Sequence, residues 1–307
     1  MAPAMFASLA ALALAGQQIT IPLGKPPRQV ERPRAPIEQS GPAWARACKE
    51  WDEWDKPAPP VRIHANTYLV GTCGISSILV TGSDGHVLID GGTEEGAEVI
   101  AANIRQLGFK LGDVKFLLQS HEHLDHVGGL ARLQALTGAT VVASAPAARV
   151  IATGAASKDD PQAGMHKPFA PAVVGRVIAD GGTVRLGNLQ LTAMATPGHT
   201  PGALSWRWED CDGGVCRTMV YADSLSPVSR DDYRFSDHPA YLAAFRRSIA
   251  TIAASRCEIL LTPHPSASAM RDRMTRVKPL FDPEGCRAYA AERTKALDER
   301  LAKEKAR

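Results

Sequence analysis

The sequence predicts an α/β protein with a chemical site at the ends of its strands. Short apolar runs typical of buried strands alternate with longer segments that have the period of amphipathic helices. Histidines recur directly after three of these strands, where active sites are often built in α/β proteins. A chain of 307 residues is long enough for one domain with a large core or for two small ones.

The first elements are three strands and a helix. The strands are predicted at 66–71, 76–82 and 86–90. Asp84 and Gly85 predict a hairpin turn between the second and third strands. Thr93 predicts the N-cap of the helix that follows, which has an acidic first turn and stops at Gly108.

Further strands and helices complete the predicted domain. Strands are predicted at 114–120, 189–196, 203–210, 217–223 and 258–262. One helix is predicted from Val127 to its stop at Gly138, and another covers 241–255, where Leu242, Phe245, Ile249 and Ile252 share one face. The last twenty or so residues predict a solvated surface helix.

The stretch "SHEHLDHVGG", from Ser120 to Gly129, places four metal-capable side chains within six positions. On a regular helix His121 and His123 would point about 200 degrees apart, so they could not share an ion. On an extended or looping segment they can face the same side. Imidazole and carboxylate are good zinc ligands, so this segment favours a metal site over the alternative of solvated loop histidines.

Two more histidines follow strands inside stiff loops. His199 lies between two Pro-Gly pairs in "ATPGHTPG", and His264 lies between two prolines in "LLTPHPSAS". Proline restricts φ and lowers the entropy lost when a loop is ordered, which suits a ligand that must be placed in advance.

The H-x-H-x-D-H segment followed by two single histidines resembles the metallo-β-lactamase superfamily. "VLIDGGT", "YADSLSP" and "TPHPSAS" are most similar to its subclass B3. The resemblance covers the chain from about Val61 onward. It implies an αββα sandwich, with two mixed sheets flanked by helices, and a dinuclear metal site at the sheet edge.

The resemblance also implies a ligand set for two Zn2+ ions per chain. The first ion would be bound by His121, His123 and His199. The second would be bound by Asp125, His126 and His264. Asp125 would in addition act in catalysis, by orienting a metal-bridging hydroxide that attacks the β-lactam carbonyl without an acyl-enzyme.

A β-lactam hydrolase acting on penicillins, cephalosporins and carbapenems, and conferring antibiotic resistance, is the activity implied. Ser224 and Ser226 are candidate contacts for the substrate carboxylate, although ordinary turn serines are an equal alternative, and Gln162 is a candidate contact at the rim. A glyoxalase II-like thioesterase or a lactonase stays open, because Asp223 lies where such enzymes have a metal-bridging aspartate. A non-catalytic binding module is the other alternative, and the complete ligand set disfavours it.

The six cysteines allow fifteen pairings. Local spacing and the family resemblance together favour Cys48–Cys73, Cys211–Cys216 and Cys257–Cys286 as disulfides of an exported protein. Six reduced thiols in a cytosolic enzyme are the alternative.

Residues 1–15 predict a signal peptide, 16–45 a proline-rich polar leader and 46–307 a single domain. The apolar run is shorter than the ~20 residues that span a bilayer, so we expect a periplasmic or secreted enzyme without stable membrane insertion. The net charge of +3 is spread along the chain and does not suggest a nucleic-acid partner. A monomer acting on a small-molecule β-lactam is expected.

Overall fold

A computed structural model describes Met1 and residues 40–306. The signal peptide and most of the leader predicted from the sequence lie outside the described residues. Residues 40–306 belong to one compact unit. Its first helix, α1 (Gly41–Ala47), begins before the domain boundary predicted at residue 46, and Trp44 of this helix is buried.

The first half of the unit contains a seven-stranded mixed sheet. The strands lie in chain order across the sheet, with antiparallel pairing from β1 to β4 and parallel pairing from β4 to β7. They are β1 (Val61–His64), β2 (Thr67–Leu69), β3 (Ile78–Gly82), β4 (Gly85–Ile89), β5 (Val114–Leu118), β6 (Thr140–Ala143) and β7 (Val174–Val177). The helices of this half are α2 (Glu94–Gln106), α3 (Leu124–Val127), α4 (Leu130–Thr137) and α5 (Ala145–Thr153).

The second half contains a five-stranded mixed sheet in the order β12-β11-β10-β9-β8. Only β11 and β12 pair in parallel. The strands are β8 (Thr183–Leu186), β9 (Leu189–Ala195), β10 (Leu204–Asp212), β11 (Val215–Tyr221) and β12 (Ile259–Leu261). The helices are α6 (Pro239–Ala254), α7 (Met270–Met274) and α8 (Gly285–Lys305).

Three apolar layers hold the αββα sandwich together. The inner faces of both sheets pack against each other, with Val87 and Leu118 on one side and Trp206 and Met219 on the other. Helices α2, α4 and α5 cover the outer face of the first sheet, and α6 and α8 cover that of the second. The predicted fold class, two mixed sheets flanked by helices, is confirmed.

Local chemistry explains the element boundaries near the first sheet. The hydroxyl of Thr93 accepts a hydrogen bond from the Gly96 amide and caps α2 as predicted. The hairpin turn falls on residues 83–84, one position earlier than predicted, with Gly85 at φ +132° as the first residue of β4. Only glycine adopts such a φ without strain.

The helix predicted to start at Val127 begins three residues later, at Leu130 of α4, and Val127 is instead the last residue of a separate short helix, α3. Gly129 lies between them, directly against the backbone of the Gly91–Thr93 turn. A side chain at Gly129 would collide with the Gly91 carbonyl, so the chain can approach this turn only with glycine.

Helix α8 is less solvated than predicted. Tyr289, Ala290 and Leu297 pack into the core formed with α6. Glu304 is 3% exposed and accepts hydrogen bonds from the Phe235 and Ser236 amides. The helix is therefore an integral outer layer of the second half.

The structure contains the three disulfides expected, Cys48–Cys73, Cys211–Cys216 and Cys257–Cys286. Cys211 and Cys216 face each other across the β10–β11 hairpin. Among the described residues, no helix is long and apolar enough to cross a bilayer.

Candidate metal centre

The histidine-rich segment leaves the carboxyl end of β5 and runs into α3. His121 and His123 lie in the irregular stretch after β5, which is the conformation that lets both rings face one side. Asp125 and His126 lie in the first turns of α3. All four side chains are buried.

Two loops of the second sheet bring further histidines to the same place. His199 follows β9, and its ring centroid lies 4.7 Å from that of His121. His264 follows β12, and its ring centroid lies 5.1 Å from that of His126. The site therefore lies where the two sheets meet, with ligand candidates from both.

A buried carboxylate ties two of these loops together. Glu122 accepts hydrogen bonds from the Thr200 hydroxyl (2.6 Å) and the Gly202 amide (2.8 Å). Burial raises the pKa of Glu122 to about 7, although both donors favour its charged form. A side chain at Gly202 would lie 2.8 Å from this carboxylate, so the close approach needs glycine.

The candidate ligand atoms converge in two overlapping groups. Within each group all ligand atoms lie within 4.8 Å of one another. One group is the predicted first set, His121, His123 and His199. The other group contains Asp125 and His126 together with His121. His264 lies beside this second group, with its Nε2 3.4 Å from Asp125 Oδ2. The structure thus brings together all six predicted ligands.

Each of the five histidines has one ring nitrogen held by an acceptor. Three of the acceptors are carboxylates: Asp223 for His121 Nδ1 (2.7 Å), Asp160 for His123 Nε2 (3.0 Å) and Asp90 for His126 Nδ1 (3.2 Å). Two are carbonyls: that of Ser226 for His199 Nδ1 (2.9 Å) and that of Gly74 for His264 Nδ1 (3.2 Å). An acceptor that cannot donate fixes the proton on the nitrogen it contacts, so the opposite nitrogen offers its lone pair.

The opposite nitrogens fit a metal ion. His121 Nε2 is buried without a hydrogen-bond partner, which is rare for buried polar atoms, and His126 Nε2 faces the carboxylate of Asp125 at 3.1 Å. Imidazole nitrogens with a carboxylate oxygen are the donor set that zinc prefers. The residues present therefore fit a metal-binding site of the zinc type.

The electrostatics keep most of these ligands in the forms that bind cations. Burial, followed by the neighbouring histidines, holds the pKa of His121 and His199 well below the ordinary value, so both rings are neutral at pH 7. Burial would raise the pKa of Asp125, but His126 outweighs it and holds the pKa well below its usual range. Asp125 is therefore ionised.

His123 is an exception, because burial lowers its pKa but Asp160 outweighs burial and raises it. His126 is a second exception, because two carboxylates flank it. Burial lowers its pKa, but Asp125 and then Asp90 outweigh this effect and raise it to about 10. The proton supplies the positive charge that these carboxylates require. A divalent cation bound at His126 Nε2 would supply the same charge and displace the proton.

An open cleft of about 350 Å³ lies over the candidate ligands. All three predicted substrate contacts line it. The hydroxyl of Ser224 is buried and has no hydrogen-bond partner, whereas that of Ser226 lies 3.0 Å from His199 Nδ1. Gln162 Nε2 lies 3.4 Å from His199 Nε2.

Several residues of the site were missed by sequence reasoning. The acceptors Asp90 and Asp160 carry no local motif of their own, although Asp90 belongs to the quoted "VLIDGGT". His166 lines the cleft, and so do Trp51 and Trp54. No spacing rule places residues so distant in sequence beside the histidines.

The αββα sandwich with this site at the sheet edge defines a metallo-hydrolase. The chain belongs to the metallo-β-lactamase superfamily, whose family model matches residues 70–251.

Solved structures similar to this chain include subclass B3 metallo-β-lactamases. The MIM-2 metallo-β-lactamase is 56% identical, with a TM-score of 0.83, and the match covers 86% of this chain and 98% of that one. MEM-A1, a subclass B3 metallo-β-lactamase isolated from a soil metagenome library, is 45% identical, with a TM-score of 0.80, and the match covers 83% of this chain and 99% of that one.

A curated relative has a different activity. The hydroxyacylglutathione hydrolase of Methylococcus capsulatus is 30% identical over 181 residues, which are 56% of this chain and 61% of that protein. The chain thus matches less than two thirds of the length of this relative.

Proposed function

We propose that the protein is a dizinc metallo-β-lactamase that hydrolyses the amide bond of penicillins, cephalosporins and carbapenems. The observation that carries the proposal is the position of Asp223. Its Oδ1 accepts the hydrogen bond of His121 Nδ1 at 2.7 Å, on the side of the ring away from the converging nitrogens. An aspartate in this position orients a ligand, whereas a metal-bridging aspartate of the thioesterase type would itself be a ligand.

The likeness to solved β-lactamases supports the same activity. The match to MIM-2 extends over 98% of that chain at 56% identity, whereas the match to the curated thioesterase covers 61% of that protein at 30%. The solved β-lactamase is therefore matched over nearly its whole length.

In this proposal His121, His123 and His199 hold one zinc ion, and Asp125, His126 and His264 hold a second. Bound zinc lowers the pKa of water toward ~7 and polarises a carbonyl oxygen. Asp125 contributes a negative charge to this site. Its position is fixed by two contacts of Oδ2, which lies 3.1 Å from His126 Nε2 and 3.4 Å from His264 Nε2. Its other oxygen is then free to accept a hydrogen bond from the attacking water or hydroxide and so to orient it.

The cleft supplies the contacts for the rest of the substrate. Ser224 offers a hydroxyl without another partner to the carboxylate beside the lactam nitrogen. Gln162 also lines the cleft, with its side-chain amide 3.4 Å from His199 Nε2. No serine nucleophile is required.

The setting of the enzyme is part of the proposal. The N-terminal residues 1–15 are proposed as a signal peptide, which directs a monomeric enzyme to the periplasm or the medium, where it confers antibiotic resistance. Three disulfides without a free cysteine among the described residues support an oxidising compartment.

A thioesterase is the second candidate, because the curated relative is a hydroxyacylglutathione hydrolase. A panel assay separates the two. Purified zinc-loaded protein is given a penicillin, a cephalosporin, a carbapenem, a lactone and a glutathione thioester. We expect turnover of the lactams that a chelator abolishes and added zinc restores. Turnover of the thioester alone would overturn the proposal.

A further inference from the structure

The last turns of helix α8 hold the segment that joins β11 to α6. The carboxylate of Glu304, 3% exposed, accepts hydrogen bonds from the backbone amides of Phe235 (3.0 Å) and Ser236 (2.9 Å). Arg300, one turn earlier, donates to the same carboxylate (2.8 Å) and to the Tyr233 carbonyl (2.7 Å). Charge-assisted hydrogen bonds, which are stronger than neutral ones, therefore join this segment to the end of the helix.

The same segment holds the loop that carries Asp160. The Arg230 amide donates to the Pro161 carbonyl (3.0 Å), and its guanidinium donates to the Asp160 carbonyl (3.2 Å). This guanidinium also lies 5.4 Å from the centroid of the buried Tyr233 ring. The Asp160 carboxylate in turn accepts the hydrogen bond of His123 Nε2 at 3.0 Å. The acceptor of one candidate ligand is therefore placed by the segment that α8 holds.

A second acceptor lies between two contacts with the same helix. The Ser226 carbonyl accepts the hydrogen bond of His199 Nδ1 at 2.9 Å. The Tyr289 hydroxyl, from α8, donates to a backbone carbonyl two residues before Ser226. The Arg300 guanidinium donates to the Ser229 hydroxyl, three residues after Ser226, at 2.8 Å. The chain that carries this acceptor is thus fixed to α8 on both sides.

Two histidines of the first candidate set therefore take their ring orientation from acceptors that α8 keeps in place. We propose that Arg300 and Glu304 are positioning residues for this first metal site and raise its affinity for zinc. A ligand set whose orientation is fixed in advance loses less conformational freedom when the ion binds. The second set has acceptors from the first sheet, Asp90 after β4 and Gly74 between β2 and β3, so it should not respond. The inference rests on the proposed dizinc site.

The test measures zinc retention, which needs no substrate. Wild type, Arg300→Met and Glu304→Gln are loaded with zinc and equilibrated with graded chelator, and bound zinc is counted by mass spectrometry. In each variant we expect one of the two ions to leave at about three- to tenfold lower chelator concentration, because the acceptors act on the metal only through the histidines. The other ion should leave as in wild type. Arg300→Lys keeps the charge but not the fork of donors, so its release curve should fall between.

Single-site backgrounds identify the ion that responds. In His264→Ala, which keeps the first set complete, Arg300→Met should still shift zinc release. In His199→Ala, which keeps the second set complete, it should not.

The matched control is Glu258→Gln. Glu258 also accepts hydrogen bonds from a backbone amide, that of Thr218 (2.8 Å), and from an arginine, Arg217 (3.1 Å). It precedes β12, at the end of that strand opposite to His264. This variant should lose stability in urea without any shift in zinc release, which separates positioning from stability.

An unshifted release curve in both Arg300→Met and Glu304→Gln would overturn the inference, and so would an equal shift of both ions. If Arg300→Met fails to fold, Glu304→Gln decides, because it removes the charge but keeps an acceptor oxygen.

Failure of the proposed activity gives a different result. Wild type that holds zinc but hydrolyses no lactam would refute the proposed function, and the release curves would still decide the role of Arg300 and Glu304. Wild type that holds no zinc would overturn both.

Discussion

Replacing Asp223 by asparagine tests the site most directly. The wild-type carboxylate is fully buried and accepts the His121 Nδ1 hydrogen bond at 2.7 Å. Burial raises the pKa of Asp223 to about 6, so the group is mainly ionised at pH 7. The variant keeps the shape and one acceptor oxygen but loses the charge.

The size of the effect follows from this indirect contact. Loss of a partner that orients a ligand histidine typically lowers metal affinity ~10–100-fold, which is ~1.4–2.8 kcal/mol. Because the asparagine oxygen still accepts the hydrogen bond, we expect the lower end, about tenfold. Asp223→Ala removes the acceptor and should approach the upper end, about a hundredfold.

Zinc content is measured by mass spectrometry after equilibration with graded chelator, and lactam hydrolysis is followed in the same samples. At saturating zinc, Asp223→Asn should hold as many ions as wild type and should release them at about tenfold lower chelator concentration. Asp210→Asn is the matched control, since Asp210 is also buried but contacts Asn66, far from the site. Its chelator profile should match that of wild type.

The reasoning fails if Asp223→Asn holds fewer ions than wild type even at saturating zinc. That result would make Asp223 a ligand, as in the thioesterase type. Thioester turnover by wild type in place of lactam turnover would accompany it.

The other predictions concern inhibition, substrate binding, redox state and pH. Serine-acylating inhibitors should leave the enzyme active and thiol chelators should block it; a covalent serine adduct trapped during turnover would contradict this mechanism. Ser224→Ala should raise KM about tenfold for carboxylate-bearing lactams with kcat nearly unchanged, as steady-state kinetics would show. Thiol titration of denatured, unreduced protein should find no free thiol, and six thiols would indicate a reduced enzyme. Burial would raise the pKa of Glu304, but Arg300 and two amides lower it to about 2. Because the pKa of Glu304 is lower in the folded than in the unfolded state, the ionised group stabilises the fold above the unfolded-state pKa, and this contribution is lost as the pH falls through the folded-state pKa. Glu304→Gln should therefore lower the free energy of unfolding by about 2 kcal/mol at pH 7 and have little effect at pH 2.

The predicted fold class and the convergence of the candidate ligands were both accessible from the sequence, because each depends on local signals. The N-cap role of Thr93 and the position of the histidines after β5, β9 and β12 can each be predicted from a few neighbouring residues. Parallel and antiparallel strands that end at one edge then bring those histidines together.

Longer-range contacts were not readable in this way. Gly129 separates α3 from α4 where the chain lies against the carbonyl of Gly91, 38 residues earlier, and a side chain at this position would collide with that carbonyl. Asp160 holds His123 from 37 residues away, and Gly74 holds His264 from 190 residues away. Helix α8 was expected to be solvated because its sequence is highly charged, and only its packing on α6 shows the buried face.

The candidate ligands come from both sheets, which has a consequence for the lifetime of the protein. An ion held by His121 from the first sheet and His199 from the second joins the two halves of the sandwich. Binding at a hundred times the dissociation constant adds ~2.7 kcal/mol to the free energy of unfolding. If zinc is the bound ion, as proposed, the zinc-free chain should open more often and be exposed to proteases for longer. In a zinc-poor environment the proposed enzyme would therefore lose abundance as well as activity, and metal supply would control how much of it persists.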